Sequence, residues 1–280
     1  FFKETYYLLK FLKLQNKFIC DRFYSDSDVN NVLDKTKPSF QISKKEIDNN
    51  LNFLKKIGLK KNQKIITIHL RDSAFRGLHE MTDYRNIYNF QDYYKSINYL
   101  INKGFFVIRT GQKVNYKFKI KNKNFLDYPF SNLKSEIMDM VIAKNSFFCI
   151  SSGSGFDGIV RAFRKPVLFV NFSPIGYFQS YGSQNMTIFK HFKDKISKKF
   201  LSLDEILNKD IIYCSDGRVL KKKNIQVEEN SEIEIKNAII DMINFLNKKF
   251  DNKKYNLFNN RINKFFIEKI KSKNKHTTHF

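Results

Sequence analysis

The stretch Phe147-Phe148-Cys149-Ile150-Ser151-Ser152-Gly153-Ser154-Gly155-Phe156-Asp157-Gly158 joins an apolar run to a serine- and glycine-rich turn and the opening of a helix. Such a turn leaves backbone N–H groups and hydroxyls facing one small volume, and a helix amino terminus adds partial positive charge there. The chemistry that suits this volume is phosphate binding. A second cluster, His69-x-Arg71-Asp72, ends the β-branched run Lys64-Ile65-Ile66-Thr67-Ile68. Residues two apart on a strand share a face, so His69 and Arg71 are expected to project together. Tyr84-Arg85-Asn86 follows shortly, in a connection that also carries Arg76, Glu80 and Asp83. A diphosphate leaving group needs cations, and an acceptor hydroxyl needs a carboxylate as general base. A merely satisfied strand-end cluster is the plain alternative, and the density of charge in one connection favours function over it.

These groups need elements to carry them. Ser43 with Glu46 three residues later has the capping-box pattern and predicts a helix over 43–57, closed by Gly58. A strand is expected at 64–72, a helix over 90–103 closed by Gly104, and a strand at 105–109 ending in Thr110-Gly111. A short strand at 125–129, a helix over 135–144, the Phe147 strand, a helix over 155–163 and a strand at 167–171 complete the pattern. Alternation of strand and helix with near-continuous apolar strands predicts an α/β fold, a doubly wound, mostly parallel sheet with helices on both faces. His69 and Arg71, Arg109, Ser151 and Ser152, and Asn171 then fall at the carboxyl ends of four strands, where open α/β sheets bind ligands.

The remainder reads more plainly. Residues 1–19 carry apolar groups at helical spacing beside lysines, and 21–42 read as a loop in which Asp26-x-Asp28 is a solvated pair rather than a metal site. Ser173-Pro174-Ile175-Gly176 reads as loop, a short helix is expected near 201–207 and a candidate strand at 211–213. A turn is expected at 216–218 and an amphipathic helix within 228–250. The tail 251–280 is rich in Lys and Asn, with a helical candidate at 265–270.

Composition narrows the function classes. No apolar run approaches the roughly 20 residues of a membrane span. Cys20, Cys149 and Cys214 are odd in number and widely spaced, which reads as reduced thiols in a cytoplasmic protein. His69, His79, His191, His276 and His279 lack metal-ligand spacing, so no metal is expected. The net charge of +24 invites a nucleic-acid- or anionic-lipid-binding reading. The excess is lysine scattered along the chain rather than one basic arm, so that reading is the alternative and no specific nucleic acid is expected. Six of the nine arginines fall between Arg71 and Arg164, a bias that suits planar contacts with phosphate or carboxylate. Gly153-x-Gly155-x-x-Gly158 has the spacing of the dinucleotide fingerprint, but that motif belongs to a first strand with an acidic residue about 20 residues on. Here two strand–helix units precede it and 173–180 hold no Asp or Glu, so a dinucleotide-dependent enzyme using these glycines is a lesser reading.

Taken in order, His69-x-Arg71-Asp72-Ser73-Ala74-Phe75, Tyr84-Arg85-Asn86, Gly104 to Gly111, Asp127-Tyr128, and Asp139 ahead of Phe147 to Gly155 resemble a family of bacterial glycosyltransferases from surface-polysaccharide loci. The resemblance spans about 63–245, including Val227 to Met242. More distantly the chain is similar to fucosyltransferases of the GT-B fold, which share a His-x-Arg strand end and a serine-bearing loop after a Phe-Phe strand. Thr110 stands where the family has Met, and Asp72 where fucosyltransferases often carry a second Arg, so their donor preference is not carried over.

The resemblance implies a nucleotide-sugar donor, possibly a GDP-sugar, no cofactor and no metal, and inverting transfer to a glycan or lipid-linked acceptor. It places Arg71 and Ser151, Ser152, Gly153, Ser154 and Gly155 at the diphosphate with His69 nearby. Arg109 would aid the leaving group, and Asp127 would meet the base or ribose. Arg85, Gly111 and Asn171 are counted with the donor site. Asp72 is the first choice for general base, with Glu80 and Asp83 as alternatives. Three parts are expected: a mainly helical segment at 1–62, a remnant of an acceptor lobe; a Rossmann-like nucleotide-sugar-binding catalytic domain at 63–250; and a basic tail at 251–280. A GT-B lobe is longer than 62 residues, so the acceptor lobe is either reduced or incomplete. The expected location is cytoplasmic, with peripheral contact at an anionic inner membrane face.

Overall fold

The structure, a computed structural model, describes residues 2–12, 32–75, 77–177 and 182–248. The chain divides into two compact units, one of Lys37–Phe178 with Gln184–Phe250 and one of Phe1–Thr36, Gln179–Ser183 and Asp251–Phe280. In the second unit, helix α1 runs over Phe2–Phe11 and the short α2 over Val32–Lys35. The Asp26-x-Asp28 pair and the helical candidate at 265–270 lie outside the described residues.

The first unit is built on six parallel strands: β1 (Ile65–His69), β2 (Phe106–Thr110), β3 (Phe125–Asp127), β4 (Ser146–Ser151), β5 (Val167–Phe172) and β6 (Met186–Phe189). Their order across the sheet is β3-β2-β1-β4-β5-β6. The chain leaves β1 toward one edge and returns to β4, beside β1, to travel toward the other. Crossovers of one hand taken in opposite directions must cover opposite faces, which is why the sheet is doubly wound.

One face carries Ile66, Ile68, Val107, Phe148, Ile150, Leu168 and Val170, packed under α4 (Tyr94–Asn102) and a long carboxyl-terminal helix at Glu232–Leu246. The other carries Ile65, Phe106, Ile108, Cys149, Val167 and Phe169. It is covered by α3 (Lys44–Lys56), α5 (Glu136–Asn145) and α6 (Gly155–Ala162). Every residue of β2 and β5 is buried, because both sheet faces are covered and the strands need no polar alternation. Each fully buried Ile, Leu or Phe contributes about 1.5–3 kcal/mol, which makes this central layer the main source of stability. Helix α3 has the predicted capping box, with Glu46 N–H donating to Ser43 Oγ. Its Leu54 lies in the same core as β1 and β2, so this helix belongs with the sheet rather than with a separate amino-terminal segment.

Several elements differ from the sequence expectation. β6 lies in a stretch where the sequence predicts no element: its four residues carry little pattern, and pairing of Leu168 with Met186 and Phe172 with Phe189 makes it a strand. A separate antiparallel pair joins β7 (His191–Asp194) to β8 (Ile225–Glu228), with α7 (Leu203–Asn208) and α8 (Gly217–Lys222) between them. The expected strand at 211–213 is a buried loop; Ile212 offers its carbonyl to Gly176 instead of to a ladder. The turn at 216–218 is the start of α8, capped by Asp216. The long helix at Glu232–Leu246, now α9, begins at another capping box, Ser231 with Glu234.

Candidate functional site

At the carboxyl ends of β1, β2 and β4 a cleft of about 440 Å³ opens. Its walls are His69 to Asp72, Phe75, Gly77, Thr82 and Asn86 after β1, Gly111 to Val114 after β2, Asp139 on α5, and Ser154 to Phe156 with Ile159 at the start of α6. This is the point where the strand order reverses. Adjacent connections leave on opposite faces there, so a crevice is unavoidable.

Register places the first polar groups side by side: His69 pairs with Thr110 on one flank and Ser151 on the other. His69 Nδ1 lies 3.0 Å from Thr110 Oγ1, and His69 Nε2 lies 2.9 Å from Ser154 Oγ. The Thr110 hydroxyl donates to the Ile68 carbonyl at 3.4 Å, which assigns the ring proton to Nδ1 and makes Ser154 the donor to Nε2. The imidazole stacks on Phe156, with centroids 5.1 Å apart and planes 14° apart. Burial, aided by the Arg109 charge, pushes the His69 pKa down to about 4. The ring is therefore neutral at ordinary pH and serves to orient the Ser154 hydroxyl.

The serine turn is held from within. Ser151 Oγ donates to Asp157 Oδ2 at 2.8 Å, the Ser154 N–H donates to the same oxygen at 2.6 Å, and Gly153 N–H donates to Ser151 Oγ. Arg161 answers the buried Asp157 charge at 3.0 Å. Ser152 Oγ accepts the Arg71 N–H at 2.8 Å and so ties the β4 turn to the β1 turn. Gly153 needs its glycine: φ is +82°, and a Cβ would meet the Phe172 ring at 3.0 Å. Gly155 differs. Its φ is not in the left-handed region and no atom lies within 4 Å of the place a Cβ would occupy. The first-turn N–H groups of α6 at Gly155 and Phe156 lack intrahelical partners and border the cleft.

Arg71 is the guanidinium of the cleft wall. Its Nε donates to Asn86 Oδ1 at 3.1 Å, and its carbonyl accepts Ile87 N–H. Asn86 is fixed in turn by Lys190, whose buried ammonium donates to the Asn86 carbonyl at 2.6 Å and sits 3.8 Å from Glu229. Burial lowers the Lys190 pKa to about 8. Glu229 accepts the Tyr88 and Asn89 N–H groups, completing the brace. Asp72 borders the cleft, but Ala74 N–H donates to one of its oxygens and Asn115 N–H to the other, so it clamps two loops together. Asp83 accepts His79 N–H and Asn86 Nδ2. Glu80, Asp83 and Arg85 stand outside the cleft lining, whereas Gly111 is within it.

Three further expected donor residues, Arg109, Asp127 and Asn171, are not delivered to the cleft. Arg109 is 0 % exposed, pairs with Asp127 at 3.1 Å and faces Phe118 on the α4 side of the sheet. Alternation is the reason: Arg109 shares its face with Val107 and Ile68, and Thr110 takes the face of His69. Asp127 also accepts Phe118 N–H at 2.8 Å, so the pair is engaged with the 111–124 connection. Asn171, at φ +55°, accepts the Asn230 N–H, and its own N–H donates to Asn230 Oδ1 at 2.6 Å. Its Nδ2 donates to the Tyr93 hydroxyl at 2.9 Å, so Asn171 ties β5 both to the turn before α9 and to the start of α4.

Asn86, Lys113 and Asp139 line the cleft without being among the expected site residues. Asp139, half-buried on α5, stands beside the Tyr128 hydroxyl, and burial raises its pKa above the usual carboxylate range. Its sequence signal is slight, an acidic residue in the first turn of a helix, where such residues commonly serve the helix dipole. Among the described residues no group of three or more His, Cys, Asp or Glu side chains is placed to hold a metal, and no helix is long and apolar enough to cross a membrane. Fold and cleft define a doubly wound, Rossmann-like α/β protein with a polar crevice at its switch point. Compared with protein-family models, curated proteins and solved structures, the chain matches none.

Proposed function

We propose that the cleft takes the nucleoside diphosphate of an activated sugar and that the protein moves the sugar to an acceptor hydroxyl, its sheet acting as the donor lobe of a GT-B-type glycosyltransferase. Gly155 carries this reading. Neither its backbone conformation nor its neighbours require glycine, and its open side faces the cleft at a helix amino terminus. A ligand oxygen approaching the backbone closely is what a side chain there would obstruct.

In this reading the diphosphate lies against the Gly155 and Phe156 amides, with Arg71 and the Ser154 hydroxyl beside it. Asp139 takes the proton of the acceptor hydroxyl as that oxygen bonds to the anomeric carbon. The bond from this carbon to the donor phosphate oxygen breaks, and the nucleoside diphosphate leaves with the electron pair, stabilised by Arg71 and the amides. A single displacement inverts the anomeric configuration. A carboxylate with a raised pKa suits the base role near neutral pH better than Asp72, whose oxygens already accept backbone N–H groups.

A serine-nucleophile reading is favoured by one contact, Ser154 Oγ to His69 Nε2. Against it, the imidazole's pKa of about 4 makes it a poor base. Ser154 also sits in relaxed extended backbone, φ −149° and ψ 173°, without the strain of a nucleophile elbow.

The test is a thermal-shift series with GDP-, UDP-, dTDP- and CMP-sugars, followed by measurement of nucleotide release. One nucleotide class should raise the melting temperature, since a ligand at a hundred times its Kd adds about 2.7 kcal/mol. Gly155→Ala should melt like wild type and bind that ligand about tenfold more weakly, a difference of about 1.4 kcal/mol. A series in which no nucleotide sugar shifts the wild-type protein would end this reading.

A further inference from the structure

The connection from Gly111 to Asn124 contains five lysines, Lys113, Lys117, Lys119, Lys121 and Lys123, and no Asp or Glu. Tyr116, Phe118 and Ile120 alternate with Lys117, Lys119 and Lys121. Phe118 is buried and Tyr116 and Ile120 are half-buried against the α4 side of the sheet, while Lys117, Lys119, Lys121 and Lys123 are all exposed. The segment is fixed by its own backbone: the N–H groups of Asn115, Phe118 and Lys119 donate to Asp72, Asp127 and the Tyr94 hydroxyl. Asn115 Nδ2 reaches Ser73 Oγ, and Lys134 donates to the Gln112 carbonyl. None of the five ammonium groups lies in an ion pair among the described residues, whereas Lys95, Lys193 and Lys209 elsewhere on this unit do. Lys117 rests over the Phe130 ring at 5.3 Å. The first of the five, Lys113, borders the cleft itself.

We infer that this lysine face is a track for a linear polyanion, a polymer with a phosphodiester or carboxylate in each repeat, which it leads past Lys113 into the cleft. Calling that polymer the acceptor rests on the sugar-transfer reading; the track itself does not. Unpaired ammonium groups on a backbone held rigid attract a repeating anion without first losing partners of their own. Two features favour an anionic glycan-type chain over a nucleic acid. The segment's own rings, Tyr116 and Phe118, pack inward, and the exposed ring beside it, Phe130, is covered by Lys117, which leaves no row of open aromatic faces for successive unpaired bases to stack on. It also lacks arginine, the side chain suited to planar bidentate contacts.

The experiment uses the full chain and long-chain inorganic polyphosphate as probe, with affinity measured across a salt series. The variant Lys117→Gln/Lys119→Gln/Lys121→Gln/Lys123→Gln is compared with Lys195→Gln/Lys199→Gln/Lys221→Gln/Lys222→Gln, which removes the same charge from exposed positions elsewhere. Melting curves establish that both fold. The track variant should bind at least tenfold more weakly and lose about 3 units of log–log salt slope, at roughly 0.7 per lost contact. The control should change less than threefold. Equal losses in both variants, or an unchanged track variant, would refute the track. Tighter binding of polyuridylate than polyphosphate, abolished by the same four substitutions, would reassign the surface to RNA and overturn the proposal. The nucleotide-sugar melting shift, read in parallel, fails or holds independently of these outcomes.

Discussion

At the carboxyl ends of β1 and β4, His69, Arg71, Ser152 and Ser154 meet around a cleft, with His69, Arg71 and Ser154 in its wall. One strand further out on either side, Arg109 with Asp127 and Asn171 with Asn230 are sealed into the protein. Both regions carry polar groups at strand ends, and in one dimension the two kinds of position look alike. The difference lies in what stands above them. Over β1 and β4 the connections part to opposite faces and leave a crevice. Over β2 and β3 the 111–124 segment folds back with Phe118 on the guanidinium, and over β5 the Asn230 turn closes the end. In this protein, polar strand ends border an open cleft where the winding reverses.

This contrast is open to test, beginning with the sealed pair. Arg109→Leu strands the Asp127 carboxylate beside the core and should lower stability by about 3–5 kcal/mol, read by urea unfolding, while Arg109→Leu/Asp127→Leu should recover much of the loss. Recovery of stability together with intact nucleotide binding would place Arg109 wholly on the structural side; a double variant that is stable but no longer binds nucleotide would move it back into the site. At the open end the pattern should invert. Arg71→Ala and Asp139→Asn should each cut turnover by about 10²- to 10³-fold with little change in melting temperature. The wild-type rate should rise with pH through a value above the ordinary carboxylate range, because the base works deprotonated and burial raises its pKa. A limb that persists in Asp139→Asn would assign it to another group.

The smallest effect concerns His69. Its folded pKa, about 4, lies below the ordinary 6.5, so between these values the unfolded chain binds the extra proton. The stabilisation is fully present above pH 6.5 and is lost as pH falls toward 4. Melting temperature should decline over that window, and His69→Gln should flatten the decline. An equal decline in the variant would show that acidic groups, not the imidazole, set the acid limit.

Much of the sheet was legible in the chain. Ser43 with Glu46, Gly58 and Gly104 mark helix ends by local chemistry, and the near-continuous apolar runs at 65–68, 106–108 and 167–170 announce strands covered on both faces. β6 was not legible, since four residues become a strand only by pairing with β5. The apolar pair Ile211-Ile212 misled for the converse reason: it is buried without a ladder partner. Of the cleft wall, His69, Arg71, Ser154 and Gly155 were readable from residue type and strand-end position.

The sequence by itself determined the alternation of strand and helix, the serine turn and its place at a strand end, because capping, periodicity and glycine placement act over a few residues. Only the tertiary structure decided that β4 lies beside β1, that Arg109 turns inward while Thr110 meets His69, and that Asp139 on α5 reaches the cleft. Those outcomes depend on strand order and on side-chain alternation between neighbouring strands, which join residues 41 and 85 positions apart.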